Sequence, residues 1–436
     1  MFRGLTQAVT LVRSGIIDRE YYQALTGEQF RSPLAVARHF LSSPERADLS
    51  VHPLFEPRFL QRTPDPDLVL HYLEHPGQFR KQSPHPVFDL AAAKNALRSA
   101  CVQYPEGAWL AWVRTAKADT PVPVAAQSRP VLWGDLRDSL IRAAAQWREP
   151  DPDRDPTDLR QAAATDRRAS LTSIVVPIAG DLAAALARLQ LLKTTEASEL
   201  ICTGFTSRAQ LSCFTALSRT RPVVVVRAAD TDLARQWNLG AAASSGERLV
   251  FVAPNAVLKS TAIDHLVAAL SDTRTVIVQP LNETPAMTVH SAGAYFSPGE
   301  VVPSPLLHDH PTVDAEGLGT TAVPAAYSVV TAIRSQDFFD LGGFEERYGN
   351  NYVEVDLSLR AAGSGMGDVT LVPDARATLR PLRSAGSRND TVASAELLRA
   401  QHHAPSAGGD DLLGTAGFRV AEYLEQKLIT ADPDAG

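Results

Sequence analysis

The stretch Leu249-Val-Phe-Val-Ala-Pro-Asn-Ala-Val-Leu-Lys-Ser260 is an apolar run that stops abruptly at Ala253-Pro254-Asn255 and continues as an amphipathic segment. Its apolar and β-branched residues suit a strand buried on both faces, and the proline closes it. The same pattern repeats on either side. Ser173–Val176, Glu199–Cys202 and Val223–Val226 precede it, and Thr275–Gln279 follows. Helical stretches lie between them: Leu182–Leu192, Ala209–Ser218, a segment from Asp232, and Ile263–Leu270. Strands of this kind alternating with helices predict an α/β fold, Rossmann-like, with a mostly parallel sheet covered by helices on both faces. Ligands of such sheets bind at the carboxyl ends of strands. Pro177, Gly204, Arg227 and Ala253 to Asn255 each follow a strand, so they are expected at that crevice.

Further along, residues 325–375 read as a strand, a helix, a Gly342-Gly343 turn, a second helix and a last strand. Gly363-Ser-Gly-Met-Gly367 follows a helix and reads as its C-cap, not as a phosphate loop. Glu354 and Asp356 fall in the first turn of the second helix, where acids suit the positive end of the dipole, with Asn350 or Asn351 as its cap. Asp356 and Arg360 stand four apart and are expected to pair. From Arg380 to Asp411 the chain reads as loose, and Phe418–Ile429 as a closing helix.

The N-terminal part repeats itself. Ile17-Asp18, Phe55-Glu56 and Phe88-Asp89 each pair a bulky apolar residue with an acid, and His39-Phe-Leu41 matches His71-Tyr-Leu73. Such a period predicts stacked helix pairs suited to docking or spacing. Residues 1–115 form this helical module. Residues 116–170 are a Pro- and charge-rich linker with one helix, 171–383 the α/β domain, and 384–436 the loose segment with its closing helix.

Composition narrows the class. With 44% hydrophobic and 21% charged residues the chain is globular. Its formal net charge of −7, with no basic block, argues against a nucleic-acid partner. Cys101, Cys202 and Cys213 share no C-x-x-C spacing, which excludes a zinc ribbon and suits a reducing, cytoplasmic setting. No uncharged apolar run is long enough to span a bilayer, leaving at most peripheral contact at the inner face of a membrane.

In order and spacing, several pieces resemble the family 2 glycosyltransferases. They are the first strand with Pro177, Asn238-Leu-Gly240 and Gly246-Glu247, the turn Leu341-Gly-Gly-Phe-Glu345, Val355-Asp-Leu357 with Arg360, and Val372-Pro-Asp-Ala375. The likeness spans about residues 172–378 and implies a GT-A fold. The repeats in front resemble those preceding some bacterial surface-glycan glycosyltransferases. The resemblance implies transfer of a sugar from a nucleotide-sugar donor to a glycan acceptor with inversion, in polysaccharide biosynthesis, and a protein partner on the repeats.

The family's own chemistry is incomplete here. The resemblance puts the nucleobase-holding Asp at Gly204 and the metal-holding acids at Ala253-Pro254-Asn255. Its late histidine falls near Leu379-Arg380, and its base pair falls at Val353-Glu354. Mg²⁺ and Mn²⁺ need anionic oxygen, so no metal ligand and no cofactor is predicted. The expected catalytic residues are Glu354 and Asp356, and the expected nucleotide-sugar-binding residues are Pro177, Gly204, Arg227, Asn238 and Asn255. Arg227, Arg248, Lys259, Arg376 or Arg380 could stand in for a metal, and His308-Asp-His310 is the other cluster with metal-binding chemistry. A transferase and a catalytically degenerate GT-A-shaped partner protein both remain open.

Overall fold

The computed structural model describes residues 2–431 apart from 62, 80, 104, 125–129, 149–158, 160–161, 164–165, 193–196, 221–222, 228–231, 381–387, 406–407, 416 and 424–425. The chain divides into two compact units. Unit 1 comprises Met1–Pro152, Gly180–Leu186 and Phe205–Arg227; unit 2 comprises Asp153–Ala179, Ala187–Gly204 and Ala228–Gly436.

In unit 1 the three apolar-acid segments adopt one local structure. Asp18, Glu56 and Asp89 each cap a helix, accepting from the main-chain N–H of Tyr21, Arg58, and Ala91 with Ala92. A cap of this kind satisfies donors that the first turn leaves unpaired. The N–H of each acid reaches a carbonyl further along the chain, at Val51, Pro84 and Pro123, over 2.8–2.9 Å. His52 and His85 each accept from a main-chain N–H two residues on through Nδ1. Burial pushes their pKa values down to about 4 and about 3, so both rings are neutral structural caps.

The helix Trp133–Arg148, expected within a linker, packs on helices Arg19–Thr26 and Arg208–Ser218. It buries Leu136, Leu140, Ala143 and Ala144, and Arg137 forks onto Asp18. Residues 116–124 and 130–148 therefore belong to a packed unit, while the Pro-rich run 149–158 lies outside the described residues. Strand β3 (Val223–Val225), numbered in chain order after two strands of unit 2, is also in this unit.

Unit 2 is built on a mixed sheet. Its strands are β1 (Arg168–Pro177), β2 (Ser198–Thr203), β4 (Gly246–Val252), β5 (Ala256–Leu258), β6 (Thr275–Glu283), β7 (Val289–Ser291), β10 (Thr321–Val323), β11 (Val330–Arg334) and β12 (Asp368–Leu379). A separate two-stranded pair is made by β8 (Ala294–Tyr295) and β9 (Ser304–Pro305). Across unit 2 the order is β10-β12-β6-β11-β4-β1-β2, with β5 beside β12 and β7 beside β6. The long strands pair in parallel, β1 with β2 and β4, and β6 with β12. β11 runs antiparallel between β4 and β6. Every residue of β6 is buried: the apolar run Val276–Val278, as its pattern predicts, and with it the polar Gln279, Asn282 and Glu283. Helix Leu233–Ala242 packs on β1 so closely that a β-carbon on Gly240 would sit 2.2 Å from Val175 Cγ1. The α/β class with a helical N-terminal region is the class read from the sequence.

Two elements differ from the sequence reading. Residues Arg388–Gln401, expected as loose chain, form a helix that buries Leu398 and Ser394 and receives Tyr348 Oη at Gln401. The expected closing helix is a β-hairpin, β13 (Phe418–Tyr423) paired with β14 (Gln426–Ala431). Gly417 enters it at φ +76°, and Val420, Tyr423, Ile429 and Thr430 favour a strand. Among the described residues no helix is long and apolar enough to cross a membrane.

Candidate functional site

The carboxyl ends of the unit 2 strands bring together three of the segments singled out in the sequence. Pro177 ends β1 opposite Thr203, and Ile178 N donates to the Thr203 carbonyl over 2.7 Å. Gly204 follows directly. It sits at φ +72°, and a β-carbon there would meet Gln236 Oε1 at 2.0 Å. A carboxylate there would sit on a strained left-handed backbone and would have to displace the Gln236 amide.

At the end of β4, Ala253-Pro254-Asn255 forms a tight turn closed by Ala256 N to Ala253 O at 3.1 Å. The Ala253 N–H donates to Val329 O over 2.7 Å, continuing the β4–β11 ladder by one residue. The next residue back on that strand, Ser328, donates its N–H to Glu354 Oε1 over 3.2 Å. Glu354 therefore stands at the same sheet edge as the Ala-Pro-Asn turn. It lies in the first turn of helix Val353–Ser364 and is half-buried. Burial raises its pKa to about 7 against the opposing pull of the main-chain hydrogen bond from Ser328. Around it, Gln279 Oε1 takes the Tyr327 N–H, and Ser328 Oγ bonds Asn282. This buried polar network fixes the segment that orients the carboxylate.

The helix is not capped as expected. Tyr352, in the left-handed region at φ +57°, occupies the N-cap without a side-chain bond. Asn350 instead caps another helix, accepting the Leu233 N–H over 3.0 Å. Gly365, at φ +69°, is the C-cap read from the sequence.

Asp356 points elsewhere. Two residues on a helix are about 200° apart, which places it on the face opposite Glu354. It is buried, with Oδ2 taking Arg360 Nε and Nη2 at 2.9 and 2.6 Å and Oδ1 taking His402 Nε2 at 2.8 Å. Arg360 also holds the carbonyls of Leu341 and Gly343. The expected Asp356–Arg360 pair is present, and its work is to fasten the Gly-Gly turn. Both carboxylate oxygens of Asp356 are engaged away from the strand end. Asn238 fastens the same turn, donating to Phe344 O at 2.8 Å and accepting from Phe344 N at 2.9 Å, so its amide is likewise engaged. These residues line a cleft of about 700 Å³ with Glu345, Glu346 and Gln401. Arg227 belongs to unit 1, where it donates to the Gln146 and Trp147 carbonyls and lies over the Trp147 ring.

The donor set does not fit a divalent metal. Ala253 and Pro254 offer no side-chain oxygen, and Asn255 offers one neutral amide. The acid at the end of β6, Glu283, is buried and neutralised by Arg376 and by Lys259 at 3.5 Å. A second cation there would be repelled. Among the described residues no group of three or more His, Cys, Asp and Glu could hold a metal. His310 pairs with Asp314, and His308 with Asp309 and the His290 carbonyl.

Of the cations considered as substitutes, Arg376 and Lys259 are thus neutralised, and Arg248 lies beside Glu247. Arg380 remains at the site: its N–H donates to Asn255 O over 2.9 Å and its side chain is exposed. The sequence reading missed Arg188, whose Nη1 donates to the Ala253 carbonyl over 2.9 Å. Its only signal was a charge inside an apolar helical run, which the sequence alone leaves as surface.

No family model matches the chain, and no curated protein matches it in sequence. Solved structures similar to it include GalNAc-T7 with UDP, GalNAc and Mn²⁺, at 18% identity over 54% of this chain and 48% of that one, with a TM-score of 0.42. The mannosyltransferase PcManGT of Pyrobaculum calidifontis with GDP-Man and Mn²⁺ matches at 15% identity over 65% of this chain and 76% of that one, TM-score 0.39. S. aureus TarS 1–349 with UDP matches at 11% over 57% and 71%, TM-score 0.36. The chain spans about half the length of the first of these structures, covering 48% of it.

Proposed function

We propose that unit 2 is a GT-A-like nucleotide-sugar site at which Glu354 acts as general base in an inverting glycosyl transfer. Glu354 takes the proton of an acceptor hydroxyl. The hydroxyl oxygen bonds to the anomeric carbon from the face opposite the leaving group, and the bond from that carbon to the donor's diphosphate breaks, releasing a nucleoside diphosphate. The observation that carries this reading is the placement of Glu354 at the carboxyl end of the sheet, hydrogen-bonded to Ser328 beside the β4 turn, with its pKa raised to about 7. A base with that affinity for protons is matched to neutral pH. In this reading the chain serves glycan synthesis on the cytoplasmic side of a membrane, and the helical unit docks a protein partner.

A second reading is a non-catalytic GT-A-shaped partner protein. It is favoured by Gly204, where Gln236 fills the space a base-holding acid would need. The two separate in an assay of nucleoside diphosphate release from UDP-, GDP- and dTDP-sugars with water or sugar acceptors. The transferase reading expects release by the wild type and a loss on the order of 100-fold or more in Glu354→Gln. Equal rates in both proteins would remove Glu354 from the chemistry, and no release from any donor would favour the partner protein.

A further inference from the structure

The β4 turn lacks every anionic ligand, yet two cations converge on it. Arg188 reaches it from the last turn of helix Leu182–Leu191 and holds the Ala253 carbonyl at 2.9 Å through one of its five N–H groups. Arg380 is tied to the same turn through its main chain, at Asn255 O, as β12 ends beside β5. Neither guanidinium has an acidic partner among the described residues, whereas Arg376, Arg360 and Arg334 each do. The two are close enough that the charge of Arg380, after partial burial, helps lower the Arg188 pKa to about 10. Like charges held together without a carboxylate destabilise the free protein, and a bound anion relieves that repulsion.

We infer that Arg188 and Arg380 form a metal-independent subsite for the diphosphate of a nucleotide ligand, occupying the place at the β4 end where carboxylates would otherwise hold a divalent ion. This deepens the reading of the site as one for nucleotide-sugars and rests on it for the ligand class. Guanidinium groups suit the task because their planar fork gives paired hydrogen bonds to phosphate oxygens and stays charged at all relevant pH. Arg188 has donors left over after Ala253, and the exposed side chain of Arg380 can close on the same anion. The turn thus contributes geometry through its carbonyls, and the charge comes from the residue after β12 and from the helix after β1.

The test is calorimetric titration of the full chain in EDTA with UDP, GDP and inorganic pyrophosphate, with sulfate at matched ionic strength as control. Wild type, Arg380→Ala and Arg188→Lys are compared, with melting curves to verify folding; Arg380 is exposed, so its truncation leaves the fold intact. The expected result is binding of at least one diphosphate in EDTA, unchanged by Mn²⁺ and weakened on the order of tenfold or more in Arg380→Ala. Arg188→Lys, which keeps the charge and loses the fork, should weaken it as well. UDP or GDP binding more tightly than pyrophosphate identifies a nucleotide; pyrophosphate alone binding identifies a free diphosphate and overturns the nucleotide assignment. Binding that requires Mn²⁺, equal affinity in Arg380→Ala, equal competition by sulfate, or no binding overturns the subsite. Unchanged turnover in Glu354→Gln alongside Arg380-dependent binding would remove the base and leave the subsite standing.

Discussion

Gln236 stands where a side chain on Gly204 would have to go: its Oε1 lies 2.0 Å from the position of a β-carbon on that glycine. The relationship closes one recognition point at the end of β2, and it makes a direct prediction. Gly204→Asp does not install nucleobase recognition; it strains a left-handed backbone and clashes with a buried side chain. Urea unfolding should show a loss of roughly 2–4 kcal/mol, with no gain in affinity for any nucleoside diphosphate. A stable Gly204→Asp protein with tighter UDP or GDP binding would contradict this.

Glu354 titrates with a raised pKa in the folded protein, so its sign on stability is fixed. Its folded value of about 7 exceeds the ordinary value of 4.5. The protonated form is favoured by folding, and the stability it contributes is complete below about pH 4.5 and is lost as pH rises through about 7. Glu354→Gln keeps an acceptor for the Ser328 N–H and removes the titration. Above pH 7 the variant should be more stable than wild type by roughly 1–3 kcal/mol, and the difference should shrink on acidification toward pH 4.5. Chemical denaturation across that range measures it; identical pH dependence in both proteins would place Glu354 in solvent.

Asp356 is predicted to matter for stability and not for chemistry. Removing its carboxylate leaves Arg360 half-buried without its counter-ion and frees His402. Asp356→Ala should lower unfolding stability by roughly 3–5 kcal/mol. Nucleotide affinity of the folded fraction should be unchanged. A variant of full stability with abolished transfer would restore Asp356 to the site.

Asn238→Ala tests the other fastening of the Gly342-Gly343-Phe344 turn. Its amide pairs with both main-chain polar groups of Phe344, and losing them should cost roughly 1–3 kcal/mol. Unfolding curves check this. Weakened nucleotide binding at unaltered stability would show instead that Asn238 reads the ligand.

Much of this architecture is written in local patterns. The apolar runs of β1, β2, β4 and β6 mark themselves, because strands buried on both faces admit no polar alternation. The acids at 18, 56 and 89 mark helix starts because capping is a local interaction. The Gly365 C-cap is legible for the same reason. The closing hairpin was not, since Phe418–Ile429 carries apolar residues at spacings that satisfy a helix and a strand alike. In the candidate site, the helix start at Glu354 was legible because an acid in a first turn next to a Gly-Gly turn is a local pattern. The Asp356–Arg360 pair was legible from its spacing of four, whereas the long-range partners of Asp356 and Asn238, His402 and Phe344, show only in three dimensions. Arg188 was invisible for a related reason: its contact, the Ala253 carbonyl, is 65 positions away in the chain.

The central claim is that the β4 turn and Glu354 frame a nucleotide-sugar site working without a metal. Its most direct test is a thermal-shift screen of the full chain against UDP, GDP, dTDP and CMP and their sugars, run in EDTA and again with Mn²⁺. A ligand at about 100 times its Kd stabilises the folded state by roughly 2.7 kcal/mol, a shift that a melting curve resolves. The account predicts a rise in Tm with at least one nucleotide in EDTA, unchanged by Mn²⁺. No rise with any of them, or a rise that appears only with Mn²⁺, would contradict it.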